Sequence, residues 1–178
     1  MKILFTLIFL AGAFWFCLFQ AGLLGIYSPA FAVFVNLTLM GVSAAILGFL
    51  NIPLKSRYFE VQPFEKDGRI YRSFGVQFFL KLLKAIGYES MRQSLYPVGK
   101  SIKSLEDFSK QTRASETSHG FVALIVLALT IFVALEHSIF AARWLVLGNI
   151  FFNLYPIMAQ RYNRPRIERL LRQRFNMV

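Results

Sequence analysis

A glutamate and a histidine, Glu116 and His119, stand three residues apart immediately before a long apolar run. On a helix this spacing places both side chains on one face. A carboxylate beside an imidazole holds the ring in one tautomer and raises its basicity, as a general base acting on a hydroxyl requires. The alternative is an interfacial histidine next to a solvated acid. Glu136 and His137 form a weaker candidate, because adjacent helical residues point about 100° apart.

The stretch QRYNRPR, which begins at Gln160, offers a second kind of chemistry at the end of another apolar run. Arginines in such a place bind anionic lipid, at about 1 kcal/mol per charge. The mixture of Arg161 and Arg164 with Gln160, Tyr162 and Asn163 also presents planar forks and amides that suit a phosphate or a carboxylate-like ligand. The sequence leaves both readings open.

Polar side chains also recur inside the apolar run that precedes this stretch. Asn149, Asn153, Pro156 and Gln160 follow one another at spacings of four, three and four, which puts them on one helix face. Pro156 frees a backbone carbonyl near Phe152, because proline has no N–H. Such a face either lines a cavity or forms hydrogen bonds to a neighbouring helix.

Several catalytic classes are excluded by what the chain lacks. Two histidines are too few for the iron centres of membrane desaturases and hydroxylases. There is no glycine-rich phosphate loop, no dinucleotide-binding fingerprint and no credible serine or cysteine nucleophile motif. We therefore expect neither a metal nor a cofactor. The single cysteine, Cys17, cannot form an internal disulfide.

The elements that must position these residues are apolar helices. The chain has 178 residues, is 56% hydrophobic and contains 20 phenylalanines, yet its net charge is +11. Both facts fit if the apolar residues lie in lipid and the basic residues line one side of it. A helix needs about 20 residues to cross a bilayer. Four runs approach that length: 3–27, 29–50, 120–139 and 144–160.

The basic residues predict how these helices are oriented. The segment 51–119 contains twelve lysines and arginines, and the tail 161–178 contains six. With four crossings, both termini and the central segment share one side of the membrane, which positive charge marks as cytoplasmic. The sequence therefore predicts one all-α, multi-pass domain over residues 1–178 in the cell (inner) membrane, with cytoplasmic termini.

The central segment is predicted to contain further structure. It begins irregularly and includes a Lys66-Asp67-Gly68 turn. Residues 71–88 then have the pattern of an amphipathic helix lying in the headgroup region. The same pattern also fits a segment that enters the bilayer and returns to the same side. A helix starting at Ser104 is expected to continue through His119 into the third apolar run.

The residues QRYNRPRIERLL resemble the C-terminal signature of the glycosyl-4,4'-diaponeurosporenoate acyltransferase family. These are small bacterial membrane proteins that acylate the sugar of staphyloxanthin-type carotenoids. The resemblance includes a Glu-x-x-His at the head of a membrane helix, here Glu116 and His119. It also includes PLKSRYFEVQPFEKDGRIYRSFGV, in which the matching residues are Pro53, Tyr58, Phe59, Phe64, Glu65 and Gly68. The resemblance covers roughly residues 50–175, and the two N-terminal helices match the family only in their general apolar character.

The resemblance implies transfer of a fatty acyl group from a thioester, acyl-CoA or acyl carrier protein, to a hydroxyl of a lipid-linked, glycosylated, carotenoid-like acceptor. It implies no nucleic-acid partner. In this interpretation His119 is the base and Glu116 orients it. The residues that would bind the donor phosphates, the developing oxyanion or the sugar are Arg161, Arg164, Asn153, Gln160, Tyr162, Asn163 and Glu65.

Two other functions stay open on the sequence. One is a non-enzymatic membrane assembly factor whose basic face binds anionic lipid or a partner protein. The other is a different small membrane enzyme, such as a methyltransferase or a reductase, although no motif for a nucleotide cofactor is present. Substitution of arginine by lysine separates the first of these from a bidentate binding site, because lysine keeps the charge and loses the fork.

Overall fold

The computed structural model describes residues 2–65, 68–95 and 101–175. Lys66 and Asp67 of the predicted turn, and the last three residues of the predicted tail, lie outside these ranges. All regular elements of the described residues are helical. They are α1 (Lys2–Leu24), α2 (Pro29–Leu50), 3-10 turns at Arg57–Phe59 and Pro63–Glu65, α3 (Arg69–Ser73), α4 (Val76–Ala85), α5 (Tyr88–Leu95), α6 (Ile102–Glu136), α7 (Arg143–Asn149), a π-helical turn at Ile150–Leu154, and α8 (Tyr155–Phe175).

The chain divides into two compact units. We name them the apolar unit, Met1–Pro53 with Thr117–Pro156, and the basic unit, Leu54–Glu116 with Ile157–Val178. The basic unit contains every lysine and arginine of the sequence except Lys2 and Arg143. The organisation of residues 1–178 as one membrane domain stays a prediction.

Three helices of the described residues, α1, α2 and α6, are long and apolar enough to cross a membrane. They correspond to the first three predicted runs, and the chain is thus compatible with a membrane protein. Local signals explain the bounds of α2. Ser28 caps its first turn by accepting a hydrogen bond from the Phe31 N–H, Pro29 occupies the first helical position, and Asn51 ends the helix in the left-handed conformation.

The predicted fourth span, 144–160, is not confirmed. This part of the chain is helical, but its hydrogen-bond pattern changes at the π-helical turn Ile150–Leu154. The next helix, α8, starts at Tyr155 and continues through the basic tail to Phe175. The apolar run and the arginine-rich stretch therefore meet within one helix, and no separate apolar helix of membrane-spanning length forms here among the described residues.

The predicted amphipathic helix over residues 71–88 is not one helix. The chain breaks at Gly75 and Gly87, whose φ angles of 76° and 78° lie in the left-handed region that favours glycine. Between them α4 buries Phe79 and leaves Lys81 and Lys84 exposed. In contrast, α6 begins two residues before the predicted Ser104 and runs unbroken for 35 residues, as expected.

The core of the apolar unit is formed by α2, the second half of α6, and α7. Its buried residues are Phe31, Ala32, Val35, Val122, Val126, Val133, Ala142 and Leu145. Apart from the adjacent pair Phe31 and Ala32, these positions on α2 and α6 recur three, four or seven residues apart, which aligns them along one helix face. This packing positions the polar residues that the same helices carry.

Candidate functional site

A buried cluster of two arginines and two glutamates lies in the basic unit. Glu116, near the middle of α6, accepts hydrogen bonds from Arg161 Nε at 2.6 Å and from Arg164 Nη2 at 2.5 Å. The two arginines stand three residues apart on α8, so both reach the same carboxylate. All three side chains are buried, and that of Glu116 is only 1% exposed. Each oxygen of Glu116 is therefore paired with one guanidinium group.

Glu65 provides the second carboxylate, at the end of the 3-10 turn Pro63–Glu65. Arg161 Nη1 lies 3.4 Å from its Oε2, and the Gln62 N–H donates to the same oxygen at 2.8 Å. The Tyr71 hydroxyl donates to Oε1. Burial and the hydrogen bond to Glu65 raise the pKa of Tyr71 well above its usual value. Tyr71 therefore remains a neutral hydrogen-bond donor at physiological pH.

Arg161 is bonded through all three of its side-chain nitrogens. Besides the two glutamates, it donates from Nη2 to the Tyr58 carbonyl at 2.7 Å, and its guanidinium lies 4.3 Å from the centre of the Tyr58 ring. Burial alone lowers the pKa of Arg161, but its hydrogen bonds to Tyr58 and Glu116 outweigh burial and raise the pKa overall. Arg161 thus joins α8 to α6 and to the segment before α3.

The charges of this cluster balance, since two guanidinium groups face two carboxylates. A buried ion pair is tolerated only when its groups are paired and hydrogen-bonded, which holds for Glu116, Glu65 and Arg161. Arg164 differs, because its Nη1 is buried without a hydrogen-bond partner among the described residues. An unpaired N–H of a charged group is able to donate to an oxygen of a bound ligand.

A cavity of about 400 Å³ adjoins the cluster within the basic unit. Its walls are formed by Tyr58, Gln62, Phe64, Glu65, Tyr71, Ile157 and Arg161. Aromatic faces together with a few convergent polar groups are typical of small-molecule sites. This arrangement suits a group with hydroxyls on its edge and C–H bonds on its faces.

Three other predicted binding residues lie on α8 close to the cluster in sequence. Gln160 Nε2 donates to the Ser115 hydroxyl at 3.4 Å, and the Tyr162 hydroxyl accepts from Gln77 Nε2 at 3.2 Å. Asn163 is half-buried. Tyr162 also lies against Gly68, where φ is +63° and an added Cβ would lie 2.9 Å from the tyrosine ring. Gln160 and Tyr162 therefore tie α8 to other helices of the basic unit.

A network of buried amides lies in the apolar unit. Asn153 Nδ2 donates to Asn36 Oδ1 at 2.6 Å and to Asn149 Oδ1 at 2.9 Å. The sequence pattern identified Asn149 and Asn153 but missed Asn36, which is on α2. The available signal was a lone asparagine inside an apolar helix, since intramembrane polar residues face partners rather than lipid.

His119 is buried in the same unit, 7% exposed. The Phe152 carbonyl and the Asn153 side chain interact with its imidazole. Neither contact has the geometry of a standard hydrogen bond, and Nδ1 is without a partner among the described residues. Glu116 belongs to the basic unit and His119 to the apolar unit. The orientation of His119 by Glu116 stays a prediction.

In the part of the chain that the structure describes, these features define a helical protein with three apolar helices of membrane-spanning length, a buried arginine–glutamate cluster and a cavity beside it. Residues 55–173 match the model of the glycosyl-4,4'-diaponeurosporenoate acyltransferase family, and the chain belongs to that family. The predicted resemblance is thereby confirmed, and membership implies acyltransferase activity in carotenoid-related synthesis. No curated protein and no solved structure matches the chain significantly.

Proposed function

We propose that this protein is a membrane acyltransferase that moves a fatty acyl group from a thioester to a hydroxyl of a lipid-linked, glycosylated acceptor. In this reaction the acceptor oxygen attacks the thioester carbonyl. The C–O bond forms, the C–S bond breaks, and the hydroxyl proton passes through a base to the leaving thiolate. The observation that carries the proposal is the cavity walled by Glu65 and Arg161, within the segment that matches the family.

The cavity is proposed to hold the polar head of the acceptor. Tyr58 and Phe64 offer ring faces to the C–H side of a sugar, while Gln62, Glu65 and Tyr71 offer polar atoms to its hydroxyls. Its volume, about 400 Å³, has room for one hexose. In this proposal Glu65 keeps the sugar-binding role that the family resemblance implied.

The two arginines are proposed to have different roles. Arg161 is bonded through every nitrogen, so it serves to hold Glu65 and Glu116 and to form a wall of the cavity. Arg164 has a free Nη1 among the described contacts, and we assign to it the donor phosphate or the oxyanion that develops on the thioester carbonyl. Gln160, Tyr162 and Asn163 support this part of α8.

His119 is the proposed general base. It is buried, and its neutral imidazole can accept the acceptor's proton. The thioester is proposed to be acyl-CoA or an acyl carrier protein. Purified protein supplied with each donor in turn distinguishes the two, because only the true donor yields acylated product.

Mass spectrometry of total lipids and pigments tests the function directly. Cells that express the gene should contain a species heavier by one fatty acyl group than its precursor, and cells without the gene should accumulate that precursor. Expression of the Arg172→Lys variant is the matched control, since Arg172 is exposed on α8 and is expected to leave the product unchanged. Identical profiles with and without the gene would reject the acyltransferase and favour the assembly factor.

A further inference from the structure

The orientation of each amide in the asparagine network is determined by backbone carbonyls. Asn36 Nδ2 donates to the Ala32 carbonyl at 2.7 Å, and Asn149 Nδ2 donates to the Ala123 carbonyl at 3.0 Å. A carbonyl only accepts, so both asparagines must turn their amide nitrogen toward it. Their oxygens are then left to accept from Asn153.

Asn153 consequently has no freedom to rotate its amide. Its Nδ2 carries two N–H groups, and both are used, one by Asn36 and one by Asn149. Its remaining polar atom is Oδ1, which is buried without a hydrogen-bond partner among the described residues. The side chain of Asn153 therefore offers only an acceptor to His119.

A second acceptor reaches the same imidazole from the backbone. The Phe152 carbonyl interacts with His119. The residue four positions on is Pro156, which has no N–H, so this carbonyl lacks the donor that an α-helix would provide. Phe152 and Asn153 both lie in the π-helical turn Ile150–Leu154, where the backbone hydrogen-bond pattern departs from that of a regular α-helix. The ring nitrogen that is buried without a hydrogen-bond partner among the described residues is Nδ1, and beside an acceptor that nitrogen carries the proton.

We infer that Asn153 is a positioning residue for His119. Its Oδ1, held by Asn36 and Asn149, accepts from Nδ1–H of the imidazole, and the unprotonated Nε2 is thereby kept as the base toward the acceptor hydroxyl. Asn153 thus has the function that Glu116 was predicted to have, whereas both oxygens of Glu116 are paired with arginine. This inference rests on the proposed function of His119.

Asn36 extends the catalytic machinery beyond the family-matched segment. It lies on α2, whereas the match covers residues 55–173. The first two helices therefore do more than anchor the chain, because one of them determines how the Asn153 amide is turned.

The experiment is nitrogen-15 NMR of histidine-labelled full-length protein in detergent micelles. The chain has only two histidines, so a His137→Gln background leaves the signal of His119 alone. His137 is exposed and is used only as a background position. We expect neutral His119 to carry its proton on Nδ1 in this background. A proton on Nε2 would overturn the inference without any further variant.

Substitutions of Asn153 separate positioning from packing. In Asn153→Leu we expect the proton to move to Nε2 and kcat to fall at least about 10-fold, with KM little changed. Asn153→Asp keeps an oxygen acceptor and should retain the Nδ1–H tautomer, although it loses the bonds to Asn36 and Asn149. A purely structural role predicts that Asp and Leu are equally harmful and that the tautomer is unchanged in both.

Thr130→Val is the matched control. Thr130 is another buried polar residue of α6, and it donates to the Val126 carbonyl at 2.7 Å. Its loss should leave the tautomer and kcat unchanged. The outcomes also separate the inference from the function. An active His119→Ala variant would reject His119 as the base. An inactive His119→Ala variant, together with an Nε2–H tautomer of His119 in the His137→Gln background, would reject only the role of Asn153.

Discussion

The apolar unit and the basic unit bury polar side chains in two different ways. In the described part of the apolar unit, the buried polar residues are amides, hydroxyls and one histidine: Gln20, Asn36, Ser118, His119, Thr130, Asn149 and Asn153. The basic unit contains all four of the buried charged residues that the structure describes, namely Glu65, Glu116, Arg161 and Arg164. Among the described residues, no charged side chain is buried in the apolar unit, whereas the basic unit also buries one neutral polar residue, Thr112.

The difference follows from the cost of burying charge. A charged side chain among apolar helices of membrane-spanning length is expensive, so neutral amides that satisfy one another are the available polar groups there. In the basic unit the same cost is met by pairing each carboxylate with guanidinium. We conclude that the amide network fixes the orientation of its own side chains at a low cost of burial. The ionic cluster instead links its helices through buried charges, and losing one partner of such a pair is costly.

The largest expected effect is the loss of activity in His119→Ala. A general base contributes about 10²- to 10⁴-fold to the rate, so turnover should fall by that factor while the folded protein persists. Acyl transfer by purified protein, at matched expression, measures it. His137→Ala is the control. Turnover near that of the wild type would remove His119 from the mechanism and leave the amide network without a catalytic role.

Glu116→Ala should cause the largest loss of stability. It leaves Arg164 buried without its carboxylate and takes one of two carboxylates from Arg161, and breaking such a buried pair costs about 3–5 kcal/mol. Thermal unfolding in detergent measures the change. Asp107→Ala, which removes an exposed pair with Lys110, is the control and should have no measurable effect. Equal stability of the two variants would mean that the cluster adds no net stability.

Arg161→Lys is expected to have an intermediate effect. Lysine keeps the charge but cannot reach Glu116, Glu65 and the Tyr58 carbonyl together. The loss of hydrogen bonds to charged groups should cost about 1.5–3 kcal/mol of stability and weaken binding in the cavity. Unfolding and product formation are measured beside Arg172→Lys. If both variants behave like the wild type, only charge matters and the assembly factor is favoured.

The smallest expected effect is that of Asn36→Ala. Hydrogen bonds between helices in membranes contribute about 0.6–1.7 kcal/mol, and Asn153 keeps its bond to Asn149 in this variant. Unfolding of the reconstituted protein gives the value. A loss as large as that of Glu116→Ala would erase the distinction between the two units.

Local sequence signals predicted the helices well where nothing distant interferes. α2 has the predicted bounds because Ser28, Pro29 and Asn51 are strong local start and stop signals. The prediction of one continuous helix over residues 71–88 was wrong. The hydrophobic periodicity continues past two glycines, but both adopt positive φ and interrupt the helix. The fourth span is not confirmed for a related reason: composition does not reveal a change from α- to π-helical hydrogen bonding.

The sequence by itself determined the apolar character of the helices, the concentration of basic residues in two segments and the identity of the chemically capable side chains. Residue type and spacing suffice for these, because they are properties of one helix at a time. Only the tertiary structure decided which side chains meet. It paired Glu116 with Arg161 and Arg164 and brought Asn36 to Asn153, contacts that join residues 45 to 117 positions apart. Helix packing sets such contacts, and no local pattern encodes them.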